Sequence, residues 1–193
     1  GYGADPGACV DFVREHAVAC VAGNHDYAVC GKLSIDFFNS YAKESVIWTR
    51  DKITKEQLQF LGQLPLIASV GQEITIVHGT MNYPEMFDYI TTSYDAHLSL
   101  EVLRTPIGFF GHSHVPVTFL SGRVVSFSLE PDNSLVGVKK ALINVGSVGQ
   151  PRDEDPRAAY ALYDTEQNMV WIKRVEYDID TTVDKILKAG LPE

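Results

Sequence analysis

An α/β fold with mixed layers is the architecture this sequence predicts, on three observations. Short apolar runs that end in glycine alternate with helical patterns in the earlier part of the chain. From 115 to 145, brief alternating segments separated by turn residues follow one another, as an antiparallel portion would. The 193 residues, 45% hydrophobic and 21% charged, have ordinary globular composition and enough length for a substantial core.

The elements follow in order. Gly1-Tyr2-Gly3-Ala4 is loop chemistry, Asp5-Pro6 supplies an N-cap and first helical position, and Cys9, Phe12, Val13 and Ala17 are spaced as one apolar helix face. Val18-Ala19-Cys20-Val21-Ala22, short, apolar and bounded by Gly23, reads as a strand buried on both faces. Residues 34–62 read as helices, with Thr54 and Gln57 spaced as a capping box. Strands are expected at 66–70 and 73–78, joined by a tight turn at Gly71-Gln72. A polar, aromatic loop over 80–92 leads to a helix capped by Ser93, then to a strand at 106–110. An antiparallel meander over 115–145 and strands near 158–164 and 168–176 come next, and Asp180 caps a last helix through Lys188.

Bulk properties narrow the function classes. The net charge of −9 disfavours non-specific nucleic-acid binding, which depends on clustered Lys and Arg. No apolar run is long enough to span a bilayer and no signal-peptide pattern opens the chain, so no membrane partner and a cytoplasmic location are expected. Cys9, Cys20 and Cys30 lack CxxC spacing and read as reduced, mostly buried thiols.

Four apolar runs end in glycine with polar donors: Gly23-Asn24-His25-Asp26, His78-Gly79, Gly111-His112-Ser113-His114 and Asn144-Val145-Gly146-Ser147-Val148-Gly149. Ligands of open α/β sheets bind outside the carboxyl ends of strands, so donors distant in sequence can converge there. Four of the six histidines, His25, His78, His112 and His114, occupy such positions. Imidazole and amide donors suit borderline divalent metals such as Mn, Zn, Ni or Fe. Each motif alone has a plainer reading: Gly-Asn-His as a turn, His78 as a strand-end histidine, and His112 and His114 as residues on opposite sides of an ideal strand unless a turn after Gly111 directs both inward.

Taken in order, these motifs resemble the calcineurin-like metallophosphoesterases, which read Asp-x-His, Gly-Asp, Gly-Asn-His-Asp/Glu, His, then Gly-His-x-His. The stretch from Leu142 to Arg152 is similar to the site-closing segment of the compact bacterial and archaeal phosphodiesterase branch. The resemblance implies a calcineurin-like four-layer αββα sandwich with mixed sheets, as a single domain over 1–193. It implies a dinuclear-metal hydroxide mechanism acting on phosphate mono- or diesters of small molecules. Asn24, His78 and His112 would bind one metal, His114 the other, and His25 would protonate the leaving alkoxide, with Asp26 favouring its charged form. Gly79, Gly146, Ser147, Arg152 and Asp26 are the expected substrate-binding residues.

The family's Asp-x-His and Gly-Asp motifs do not occur upstream of Gly23. Since Gly1-Tyr2-Gly3-Ala4-Asp5-Pro6 resembles the stretch that follows Gly-Asp in the family, the resemblance implies a domain partial at its N-terminus. On this expectation the opening β-α-β segment is lacking, the chain holds at most a partial metal site, and it is itself inactive.

Arg152 and Arg157 either meet a substrate phosphate or pair with Asp153, Glu154 and Asp155, two readings the charge pattern leaves open. Tyr27, Tyr83, Phe87 and Tyr89 serve either core packing or stacking on a leaving group. Two alternatives to a small-molecule esterase accompany the resemblance: a non-catalytic protein-binding scaffold, as in the retromer coat, and a nuclease, which the acidic balance disfavours. Oligomeric state is not encoded in any motif.

Overall fold

The computed structural model describes residues 1–192, which form two compact units: residues 1–65 with 177–192, and Leu66–Glu176. Each is described by itself.

The first unit is helical: α1 (Pro6–His16), α2 (Asn24–Val29), α3 (Ser40–Lys52), α4 (Lys55–Gln63) and α6 (Ile179–Lys188). Its core gathers Ala22, Ala28, Val29, Val46, Leu61 and Leu64. The Thr54/Gln57 capping box forms as expected, each side chain bonding the other's backbone N–H. Arg50 closes the end of α2, its guanidinium donating to the carbonyls of Val29 at 2.9 Å and Ala28 at 2.6 Å.

Four expectations are corrected here. Residues 18–22 form no strand: Val18 is 98% exposed, and among the described residues the segment's backbone is tied by the bond from Ala22 N–H to the Pro65 carbonyl. The apolar face of α1 does not pack inward, with Phe12 63% exposed and Cys9 exposed. It is Val10 that meets the core, while the Gln57 amide binds the Gly7 carbonyl and the Asp11 carboxylate. Cys9 therefore departs from the buried thiols expected. The last helix is capped by Asp178, not Asp180, the Asp178 carboxylate accepting from Thr181 N–H at 2.9 Å.

The second unit carries two sheets. Strands β1 (Ile67–Val70), β2 (Ile74–Val77), β3 (Ile107–Phe110), β4 (Val117–Leu120), β5 (Ser126–Ser128) and β7 (Ala141–Asn144) build a mixed sheet ordered β1-β2-β3-β7-β4-β5. Within it β2, β3 and β7 are parallel and the outer pairs antiparallel. The strands β6 (Asp132–Ser134), β8 (Ala158–Asp164) and β9 (Met169–Val175) form a smaller antiparallel sheet, β6-β9-β8. The meander is thus interrupted: β6 leaves to pair with β9, and β7 runs between β3 and β4.

Alternation explains the layering. On β7, Ala141 and Ile143 face Leu135, Val170 and Ile172 of the small-sheet side, while Leu142 faces Val77, Phe110, Ala96 and Leu100. The last two belong to α5 (Ser93–Val102), so helix, large sheet and small sheet stack in that order. The residue before α5, Thr92, is its cap rather than Ser93, because Thr92 keeps extended backbone and exchanges bonds with Asp95. The β1–β2 turn has three residues, Gly71 to Glu73, instead of two, with Val70 opposite Ile74.

Candidate metal centre

Parallel register aligns the ends of β2, β3 and β7: Ile76 pairs with Phe109, and Phe110 with Asn144. Beyond these ends Gly111 N–H donates to the His78 carbonyl and Val145 N–H to the Phe110 carbonyl, both at 3.0 Å. His78, His112, His114 and the loop after Asn144 therefore emerge at one edge of one sheet, the carboxyl edge at which α/β sheets bind ligands.

His78 Nε2 lies 3.0 Å from His112 Nδ1. His112 is buried, stacks on Tyr89 with ring centroids 4.0 Å apart, and hydrogen-bonds to the Phe87 backbone. Its pKa is lowered to about 4, first by burial and then by the nearby His114 and Arg152 charges, against the raising effects of Phe87 and Asp88. The ring is therefore neutral at physiological pH, the form in which imidazole ligates metals. Burial and Arg152 also lower His114.

Both His112, at φ 66°, and His114, at φ 61°, adopt left-handed backbone. Each such residue costs about 1 kcal/mol or more, and such strain persists where the surroundings over-determine it. The turn after Gly111 is what lets two histidines separated by one residue escape the opposite-face geometry of a strand. Asn144, fully buried, holds this turn: its Nδ2 donates to the Gly111 carbonyl and to Ser113 Oγ, both at 2.8 Å, and its Oδ1 accepts from Gly146 N–H at 2.9 Å. His114 Nδ1 is 2.8 Å from the Gln150 carbonyl. A carbonyl only accepts, so Nδ1 carries the proton and Nε2 keeps its lone pair.

The glycines are tight for different reasons. A Cβ on Gly79 would stand 2.7 Å from the Asp88 carbonyl oxygen. Gly146, at φ 76°, would bring one within 2.7 Å of Ala159 Cβ and 2.8 Å of Pro116 Cγ. The Ser147 hydroxyl accepts from Gln150 N–H at 3.0 Å, shaping the loop that carries Arg152.

The arginine alternatives divide. Arg157 pairs with Asp155, two of its nitrogens at 2.9 and 2.7 Å, and Arg174 pairs with Asp153. Among the described residues the Arg152 guanidinium binds only the Gln150 side-chain oxygen, at 2.6 Å, and its charge acts on both His112 and His114. The aromatics divide as well: Phe87 is buried beside His78 and Tyr27 donates to the Leu64 carbonyl, whereas Tyr83 and Tyr89 are exposed.

Asn24, His25 and Asp26 lie in the first unit, on the opening turn of α2 rather than at a strand end. His25 sits between the rings of Tyr2 and Phe38, with centroids at 4.6 and 5.3 Å. The Asp26 carboxylate accepts from Gly23 N–H at 2.8 Å, and burial, partly offset by that bond, pushes its pKa up. A carboxyl so disposed has less charge with which to favour a protonated His25 than the sequence implies.

Two imidazole nitrogens 3.0 Å apart suit adjacent positions on one ion, since ligands about 2.0–2.1 Å from a metal stand that far apart at bond angles near ~90°. His78 and His112 thus fit as part of a metal shell. Among the described residues no three His, Cys, Asp or Glu side chains gather closely enough to hold an ion by themselves. The sequence marks Asn144 only as the first residue of a strand-end motif, not as the group that holds the histidine turn, and it gives no sign of the Gln150 carbonyl, since a backbone carbonyl leaves no side-chain signal.

The calcineurin-like phosphoesterase superfamily domain matches residues 4–168. The chain is 39% identical over 199 residues to protein MJ0912 of Methanocaldococcus jannaschii, covering all of this chain and 79% of that one. The crystal structure of a metallophosphoesterase from Sphaerobacter thermophilus superposes with a TM-score of 0.85 at 38% identity, over 100% of this chain and 80% of that chain. Protein PH1004 of Pyrococcus horikoshii shares the fold, with a TM-score of 0.73 at 19% identity, over 96% and 74% of the two chains. With a family domain over residues 4–168 and a 39% identical relative that the chain matches over its own full length, the chain belongs to the calcineurin-like phosphoesterase superfamily.

Proposed function

We propose that the protein is a metal-dependent phosphoesterase hydrolysing phosphate mono- or diesters of small molecules. The observation that carries the reading is the His78–His112 pair, nitrogen to nitrogen at 3.0 Å, at the carboxyl edge of three parallel strands.

His78 and His112 would hold one divalent ion and His114 a second, and on the family resemblance alone Asn24 would be a ligand and His25 the proton donor. When bound, the ions supply Lewis-acid polarisation of a phosphate oxygen and a nucleophile at neutral pH. The chain's own groups do the rest. Gln150 holds His114 in the tautomer that presents Nε2, and Asn144 fixes the turn that aims both histidines. Arg152, which has no carboxylate partner among the described residues, meets phosphate oxygens with its guanidinium. Gly79 and Gly146 let the backbone pack closely against Asp88, and against Ala159 and Pro116, where a Cβ would not fit.

The test is hydrolysis of bis-p-nitrophenyl phosphate with added manganese, by the 193-residue chain and by a version extended upstream with Asp-x-His and Gly-Asp segments. Metal-dependent turnover that His25→Ala abolishes supports the reading. Absence of turnover in both forms overturns it.

A further inference from the structure

Beside the histidine turn the second unit has a cavity of about 470 Å³. Its walls are Ile90, Val115, Val117, Phe119, Phe127 and Leu129, and it reaches Ser113, the residue between His112 and His114. The volume falls within the range of small-molecule sites, and such sites are mostly apolar with a few polar groups to orient the ligand.

Among the described residues no cationic side chain lines it, so it does not compete with the histidine edge for phosphate. Its polar wall is largely committed elsewhere. The Thr91 and Thr92 hydroxyls donate to the Asp95 carboxylate, which also accepts both residues' backbone N–H groups. Ser113 Oγ accepts from Asn144. A sugar or other polyol would lose hydration there and find few partners beyond the Ser93 and Ser113 hydroxyls, and a second anion would meet the Asp95 charge. Phe127 and Phe119, with ring centroids 6.5 Å apart, offer a surface suited to a flat apolar group.

We infer that this cavity takes the apolar organic group of the substrate, an aryl or branched alkyl moiety, while the ester phosphorus lies at the histidine edge. The inference rests on the phosphoesterase reading for its orientation and names the substrate class of that site: phosphoesters of apolar alcohols or phenols rather than of sugars.

The experiment separates the two claims. Titration of the protein with 2-naphthol, followed by the probe's own fluorescence, tests the cavity without any hydrolysis. Saturable binding is expected, weakened about tenfold by Phe127→Asp and similarly by Leu129→Asp. Both side chains are mostly exposed, so the variants should fold, which circular dichroism and the melting temperature check. No saturable binding, or equal binding by folded variants, overturns the cavity assignment. So does concentration-dependent self-association that Phe127→Asp abolishes, since the face would then belong to a second copy. A manganese assay comparing 2-naphthyl phosphate with glycerol phosphate gives the second arm. Preference for the naphthyl ester supports the inference, equal rates overturn it while leaving the phosphoesterase reading intact, and naphthol binding with no turnover of either ester by the 193-residue chain or by its upstream-extended version overturns the substrate role and the phosphoesterase reading together.

Discussion

His78 Nε2 and His112 Nδ1 face one another at 3.0 Å, although they end different strands and lie 34 residues apart in sequence. The parallel pairing of β2 with β3 brings them level, and the left-handed backbone at His112 turns its ring off the strand path. Both conditions come from backbone architecture, so substitutions that disturb the turn should act on the site without touching a histidine.

Asn144→Ala is the sharpest such substitution. It removes two donated bonds and one accepted bond from a side chain with no solvent exposure, leaving the Gly111 carbonyl without that donor. The expected loss is about 2–4 kcal/mol in urea denaturation. If Asn144 also positions the histidines, metal affinity should fall about 10–100-fold in the folded fraction. A stability loss with unchanged metal affinity would make it merely structural. Asn144→Asp should be no better, because a carboxylate cannot donate to Gly111.

The strain at His114 predicts an order among replacements. Asn tolerates left-handed backbone and Val does not, so His114→Val should be less stable than His114→Asn by about 1 kcal/mol or more. Thermal melts of the two variants measure the gap, and equal melting temperatures would show that the turn relaxes.

Two glycines with similar backbone separate conformation from space. Gly146 and Gly137 both have positive φ, yet an added Cβ meets Ala159 and Pro116 at Gly146 and nothing within 4 Å at Gly137. Gly137→Ala should lose about 1 kcal/mol and Gly146→Ala clearly more, as read from denaturation midpoints.

At the start of α5, burial pushes the Asp95 carboxyl up, but bonds from Thr91 and Thr92 outweigh it and lower the pKa below the usual carboxylate value. A carboxyl with a depressed folded pKa contributes stability above its unfolded pKa and loses it as pH falls through the folded one. Asp95→Asn should therefore be less stable than the parent at neutral pH, with the gap closing below about pH 4. A gap independent of pH would assign the effect to packing.

Much of this structure is visible in local patterns. The Thr54/Gln57 box, the 67–70 and 74–77 hairpin and strands at 107–110, 158–164 and 169–175 are each set by neighbours a few residues away. So is the placing of His78, His112 and His114 beside glycines just past strand ends, whereas His25 lies on a helix turn. What local patterns miss is set at a distance. Nothing near Asp132 says that β6 will leave its neighbours for β9, because the choice depends on which sheet has a free edge. Val18 to Ala22 has the composition of a buried strand, but a strand needs a partner beside it, and composition does not supply one. Thr92 beside Ser93, and Asp178 beside Asp180, offer competing caps that only backbone geometry resolves. The role of Asn144 needs three partners from two separate loops, which no spacing rule reveals.

The most direct measurement is cobalt uptake followed by visible absorption, which reports imidazole coordination without requiring turnover. Saturable binding is predicted, weakened at least about 100-fold by His78→Ala and by His112→Ala. His97→Ala, on an exposed helix position 3.5 Å from Glu101, should leave it unchanged. Absence of saturable uptake, or equal uptake by the His78 and His112 variants, would contradict the assignment of this pair as metal ligands.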